Sequence, residues 1–229
     1  MADFVSKHLG KSIRKIRRLF GKRLKSGGMD YSLFDSRGRR KYLLPIERRL
    51  FLQAALEIKG PTASFCAVLA LTGARISEVL ALTPNRIDET NGSINFETLK
   101  QRRRGIIRAI PVPPELTFFL NGVHNLDRAR EDPIQADERL WTWSRSTAYR
   151  RVKLVMQRAS VPSFVAMPKA LRHAFGVEAA LEGVIITMVQ KWLGHSDIRT
   201  TTVYTTVIGK EERTLAQKTY RNLTNAFRR

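Results

Sequence analysis

Between residues 93 and 112 the hydrophobic period of this chain changes, and on either side of that stretch it is helical. Ser93-Ile94-Asn95-Phe96-Glu97 and Ile107-Arg108-Ala109-Ile110-Pro111-Val112 alternate in the way of strands with one buried face. The turn-like segment Lys100 to Gly105 separates them. Upstream, Pro45 is placed to open a helix, since it needs no amide donor in the first turn. Leu50, Phe51, Ala54, Ala55 and Ile58 give that helix an apolar face, and Gly60-Pro61 is expected to end it. A strongly apolar helix is expected from about Ala63 to Leu71, and a third after Gly73 carrying Ile76, Val79, Leu80 and Leu82. Helical patterns return after Pro114, around Ser146 to Ala159, and from Lys169 onward. These patterns imply an α+β fold class, mostly α-helical, with one small antiparallel β-sheet. No internal repeat is present.

Charge narrows the partners. The chain carries 41 Lys+Arg against 20 Asp+Glu, a formal charge of +21, yet 43% of its residues are hydrophobic. That is enough apolar material for a core, so a basic disordered tail is excluded. A folded chain this basic favours a polyanion, and nucleic acid is the commonest. The lone cysteine, Cys66, lies in an apolar run and reads as a buried small hydrophobe. Trp141 and Trp143 read as core packing rather than base-stacking residues. There is no secretory signal and no apolar stretch of membrane-spanning length, so a soluble, cytoplasmic, DNA-associated protein is expected.

Residues 1–40 differ in character from residues 41–229. Val5, Leu9, Ile13, Ile16 and Phe20 recur at helical spacing among Arg14, Lys15, Arg17, Arg18, Lys22 and Arg23, and Ser36 to Arg40 reads as a basic linker. Such an arm suits DNA phosphates; an anionic membrane or a partner protein would attract it too.

Breaking a DNA phosphodiester without a metal requires a nucleophile, charge stabilisation of the phosphorane, and an acid for the leaving oxygen. Arginine forks serve the second task and a lysine of lowered pKa the third. No carboxylate or histidine cluster suited to Mg²⁺ or Zn²⁺ stands out in the sequence, and neither metal nor cofactor is expected. The segments Thr72-Gly73-Ala74-Arg75-Ile76-Ser77-Glu78, Leu171-Arg172-His173-Ala174, Leu193-Gly194-His195-Ser196 and Thr201-Thr202-Val203-Tyr204 occur in that order. Together they resemble the motifs of the tyrosine recombinase (phage integrase) family, from about Tyr42 to Val207.

The resemblance implies a site-specific recombinase in which Tyr204 forms a 3′-phosphotyrosyl link to double-stranded DNA. Arg75 and Arg172 would clamp the scissile phosphate, and His195 would bond a phosphate oxygen and help orient the nucleophile. Lys100 would reach the leaving oxygen, although Arg102, Arg103 and Arg104 lie close enough in sequence for a register error and are also candidate DNA contacts. Glu78 would support Arg75, and His173 would pack rather than react. A homo-tetramer on paired sites is implied, with the C-terminal stripe Ala216, Tyr220, Leu223 and Phe227 (residues 211–229) docking on a neighbour, and accessory DNA-bending proteins are further possible partners.

Two departures qualify the resemblance. Lys169 stands where the family usually has histidine, three residues before Arg172; it keeps a donor and a charge but loses imidazole acid/base capacity. About forty residues precede the matched region, too few for a separate core-binding domain, so a compact or trimmed form is expected. The rival readings are a type IB topoisomerase-like enzyme and a catalytically silent DNA-binding accessory protein on the same fold.

Overall fold

The computed structural model describes residues 32–97 and 105–207. The candidate contacts Arg14, Lys15, Arg17, Arg18, Lys22, Arg23, Lys100, Arg102, Arg103 and Arg104, and the stripe at 211–229, lie outside those residues.

Helix α1 (Pro45–Ile58) begins at its proline, with Glu47 turned back to accept the Leu44 N–H at 2.8 Å. Its end differs from the sequence expectation. Lys59 takes the break, at φ 61°, and Gly60-Pro61 opens the next helix, α2 (Gly60–Thr72). Proline supplies the helical φ at this start, and its missing N–H is no loss in a first turn. Helix α2 is buried on nearly every side, from Thr62 to Ala70, which explains why it is apolar all round. Cys66 is fully buried within it, and burial pushes its thiol pKa up to about 12.

Gly73 stops α2 in the left-handed region (φ 62°) and donates its N–H to Leu69 O. Next comes a single turn, α3 (Ile76–Val79), shorter than its apolar spacing predicts. After a 3₁₀ turn at Pro84–Arg86 the chain forms an antiparallel sheet of three strands, β1 (Ile87–Asp88), β2 (Ser93–Glu97) and β3 (Ile107–Pro111). Pairing of Phe96 with Arg108 and Ile94 with Ile110 fixes the expected hairpin. The two-residue β1 is too short to leave a period in the sequence. Helices α4 (Pro114–His124), α5 (Leu126–Glu131), α6 (Pro133–Ala136) and α7 (Arg145–Arg158) lead to α8 (Pro168–Leu181), α9 (Ile186–Leu193) and α10 (Arg199–Thr202), and a 3₁₀ segment spans Val203–Val207.

Two apolar clusters hold these elements. The larger joins α2, the sheet, α7 and the start of α8, and includes Trp141, which meets Phe65 edge-on and donates Nε1–H to Pro61 O at 2.9 Å. The smaller contains Leu33, Tyr42, Val177, Ala180, Val189, Leu193 and Tyr204. Residues 32–44 therefore pack into the same compact unit as the helices that follow. At the end of the basic stretch Arg40 pairs with Glu47 and donates to Tyr42 O. An apolar residue on each side of the basic stretch pins it down.

Candidate active site

The segments that carry Arg75, Arg172 and His195 are each placed by a helix terminus. Where α2 ends at Gly73 the chain turns sharply, so Arg75 sits at the N-cap of α3 and Glu78 at its third position. Glu78 accepts the Arg75 backbone N–H at 2.8 Å and its Nη1 at 2.6 Å, fixing the arginine's exit from the helix. At the other end of the site, α9 stops at Gly194 (φ 63°) and delivers His195 just past the turn. Pro168 opens α8, which puts Lys169 in the first turn, exposed where its neighbours Pro168, Ala170 and Leu171 are buried, and Arg172 one turn deeper, buried.

Arg172 donates Nη1–H to Gly73 O at 2.9 Å and Nη2–H to Leu193 O, bridging the two glycine turns. Burial, then the nearby Arg75 cation, push its pKa down to about 9, which leaves it charged at neutral pH. His195 faces the Thr201 hydroxyl through Nδ1 at 2.9 Å. Burial, followed by the charges of Arg172 and Arg75, lowers its pKa to about 3, so its imidazole is neutral. The ring lies nearly parallel to that of Tyr204, with centroids 6.4 Å apart.

Tyr204 is 1% exposed and belongs to the smaller apolar cluster. Its ring occupies the space over Gly176, where a Cβ would come within 2.5 Å of it. Its hydroxyl lies 3.3 Å from His173 Nδ1. Burial raises the phenol pKa to about 12, while Arg172 and then Arg75 pull in the opposite direction. The structure thus brings Arg75, Glu78, Arg172, His173, His195 and Tyr204 together, and puts Lys169 close enough to His173 to help depress its pKa.

Arg108 is the residue that sequence reading passed over. Its Nη2 lies 2.7 Å and its Nη1 3.3 Å from the two oxygens of Glu78, whose side chain has no exposure. Burial by itself would raise the Glu78 pKa, but Arg108 and then Arg75 carry it below the ordinary carboxylate value. The signal was present: Arg108 shares a strand face with Ile110 and Val112, so it points inward and needs a buried anion. Three arginines therefore converge near one carboxylate, leaving a surplus of positive charge beside Tyr204.

A family model described as the phage integrase family matches residues 41–211. The chain belongs to the phage integrase family. Among curated relatives, it is 29% identical to the tyrosine recombinase XerD of Shewanella oneidensis over 142 residues, covering 61% of this chain and 47% of XerD. It is 30% identical to the tyrosine recombinase XerA of Pyrococcus furiosus over 148 residues, covering 61% and 48%. The chain spans about half the length of the curated relatives it matches. Among solved structures, a XerA recombinase aligns with TM-score 0.62 and 25% identity over 77% of this chain and 64% of that one. The catalytic domain of bacteriophage HP1 integrase aligns with TM-score 0.52 and 22% identity over 72% and 86%, a likeness of fold.

Proposed function

We propose that this chain is a site-specific recombinase that cuts and rejoins double-stranded DNA through a covalent bond between Tyr204 and a 3′ phosphate. The observation that carries the reading is the surplus of arginine beside a buried tyrosine. Among the described residues Arg75, Arg108 and Arg172 gather around Glu78, and the charges of Arg172 and Arg75 favour an ionised Tyr204 oxygen. A dianionic phosphorane would supply the missing negative charge.

In the step proposed, the Tyr204 oxygen attacks phosphorus as its proton passes to Nδ1 of neutral His173, 3.3 Å away, and the bond to the 5′ oxygen breaks. Lys100 protonates that departing oxygen, with Lys169 as the second candidate. Arg75 and Arg172 hold the non-bridging oxygens, and neutral His195 donates to one of them from the nitrogen that does not face Thr201. Attack by a new 5′ hydroxyl reverses the step and reseals the strand, so no external energy source is required. A tetramer on two paired sites would let strands exchange before resealing.

A duplex nicked just downstream of the cleavage point tests this, because the short leaving strand diffuses away and traps the intermediate. Wild-type protein should attach covalently in the presence of EDTA, and Tyr204→Phe should bind without attaching. Attachment by the Phe variant would overturn the assignment. Relaxation of plasmid by protein that never joins paired sites would point to topoisomerase-like work instead.

A further inference from the structure

We infer that Arg108 is a positioning residue for strand cleavage, setting Arg75 and the His195 turn against one another and tying both to the β2–β3 hairpin. The inference rests on the phosphotyrosyl reading of Tyr204. Three segments meet on the one guanidinium. Its Nη1 and Nη2 engage both oxygens of Glu78, the carboxylate that also grips Arg75. Its Nε–H donates to Trp192 O at 2.8 Å, two residues before Gly194. Gly194 itself lies against the fork, where an added Cβ would be 3.0 Å from Nη1. The cation also stands over the Phe96 ring at 5.3 Å, across the pairing that closes β2 onto β3.

Loss of this fork acts on cleavage through other residues. Glu78, wholly buried, would be left with Arg75 as its remaining cationic partner among the contacts described, and would draw that guanidinium inward, away from a phosphate. The Trp192 carbonyl would lose its donor, freeing the turn that presents His195. A lysine supplies charge but cannot reach two oxygens and a carbonyl together.

Two variants test the idea, Arg108→Lys and the paired change Glu78→Gln with Arg108→Met, which removes both buried charges at once. Melting temperature, DNA affinity and single-turnover attachment are measured on nicked duplexes. The scissile group is either an ordinary phosphate or an uncharged methylphosphonate, which depends less on the arginine clamp. The expected result is at least a tenfold loss of attachment on phosphate with affinity nearly kept. The phosphate-to-methylphosphonate rate ratio should narrow, as it should in Arg75→Ala. A folded variant as fast as wild type overturns the inference, and so does an equal loss on both substrates, which would mark general loosening. Failure of both variants to fold would make Arg108 a core residue and likewise overturn it. Wild-type protein that binds but never attaches would instead sink the phosphotyrosyl reading.

Discussion

His173 Nδ1 lies 3.3 Å from the Tyr204 hydroxyl, so the residue next to Arg172 in sequence, and not His195, is the histidine in hydrogen-bonding reach of the candidate nucleophile. A helical step of one residue turns His173 about 100° away from Arg172. That rotation turns it toward the 3₁₀ segment that bears Tyr204. The hydroxyl is thereby held inside the apolar cluster, in a site that favours the protonated phenol. DNA cleavage on the proposed pathway must draw it out or desolvate a phosphate against it.

The two arginines proposed to clamp the phosphate should separate by stability. Arg75→Ala is expected to lower covalent attachment on the order of a hundredfold or more, as for loss of a transition-state donor, with the smaller loss of stability, because Glu78 keeps Arg108 and the residue-75 backbone N–H. Arg172→Ala should lose as much activity and also about 1–3 kcal/mol of stability, because the carbonyls of Gly73 and Leu193 lose their buried donor. Urea titration alongside single-turnover assays checks this; an Arg172→Ala protein as stable as wild type would contradict the bridging geometry.

Acid should destabilise the fold through its buried imidazoles. His173 and His195 have pKa values pushed down to about 3, by burial first and by neighbouring cations second. The unfolded chain takes up these protons below about pH 6.5 while the folded chain does not. Stability from this source is therefore complete above pH 6.5 and is lost as pH falls toward 3. At pH 5 the loss is on the order of 1–2 kcal/mol per buried imidazole. Urea midpoints at pH 7.5 and pH 5.0 should differ less in His173→Asn and His195→Asn than in wild type.

The seat of Tyr204 depends on a missing side chain. Gly176→Ala puts a Cβ within 2.5 Å of the ring and should displace it, with lower stability and at least a tenfold slower attachment. Gly122 in α4 is the control: nothing lies within 4 Å of its would-be Cβ. Gly122→Ala should leave attachment unchanged and add roughly 0.4–1 kcal/mol of stability by restricting the unfolded chain. Equal behaviour of the two variants would rule out the packing argument.

The acid can be identified chemically. If Lys100 protonates the leaving oxygen, a substrate with 5′-bridging sulfur should restore attachment to Lys100→Ala, since a thiolate departs without a proton. Restoration of Lys169→Ala in its place would move the role to the first turn of α8.

The helix openings at Pro45 and Pro168, the helix ends at Gly73 and Gly194, and the strand period at 93–112 were all determined by the sequence itself. Each depends on a local property: a fixed φ, a backbone that tolerates positive φ, or an alternation that buries one face. The order of the four motif segments was legible for the same reason. The tertiary structure alone decided which faces meet. Arg108 and Glu78 are 30 residues apart and His173 and Tyr204 are 31 apart. Leu33 and Tyr42 close over α8 and α9 from the opposite end of the unit. An inward arginine or a buried tyrosine is written in the pattern, but its partner is set by long-range packing, where an unpaired buried charge costs far more than any local preference can offset.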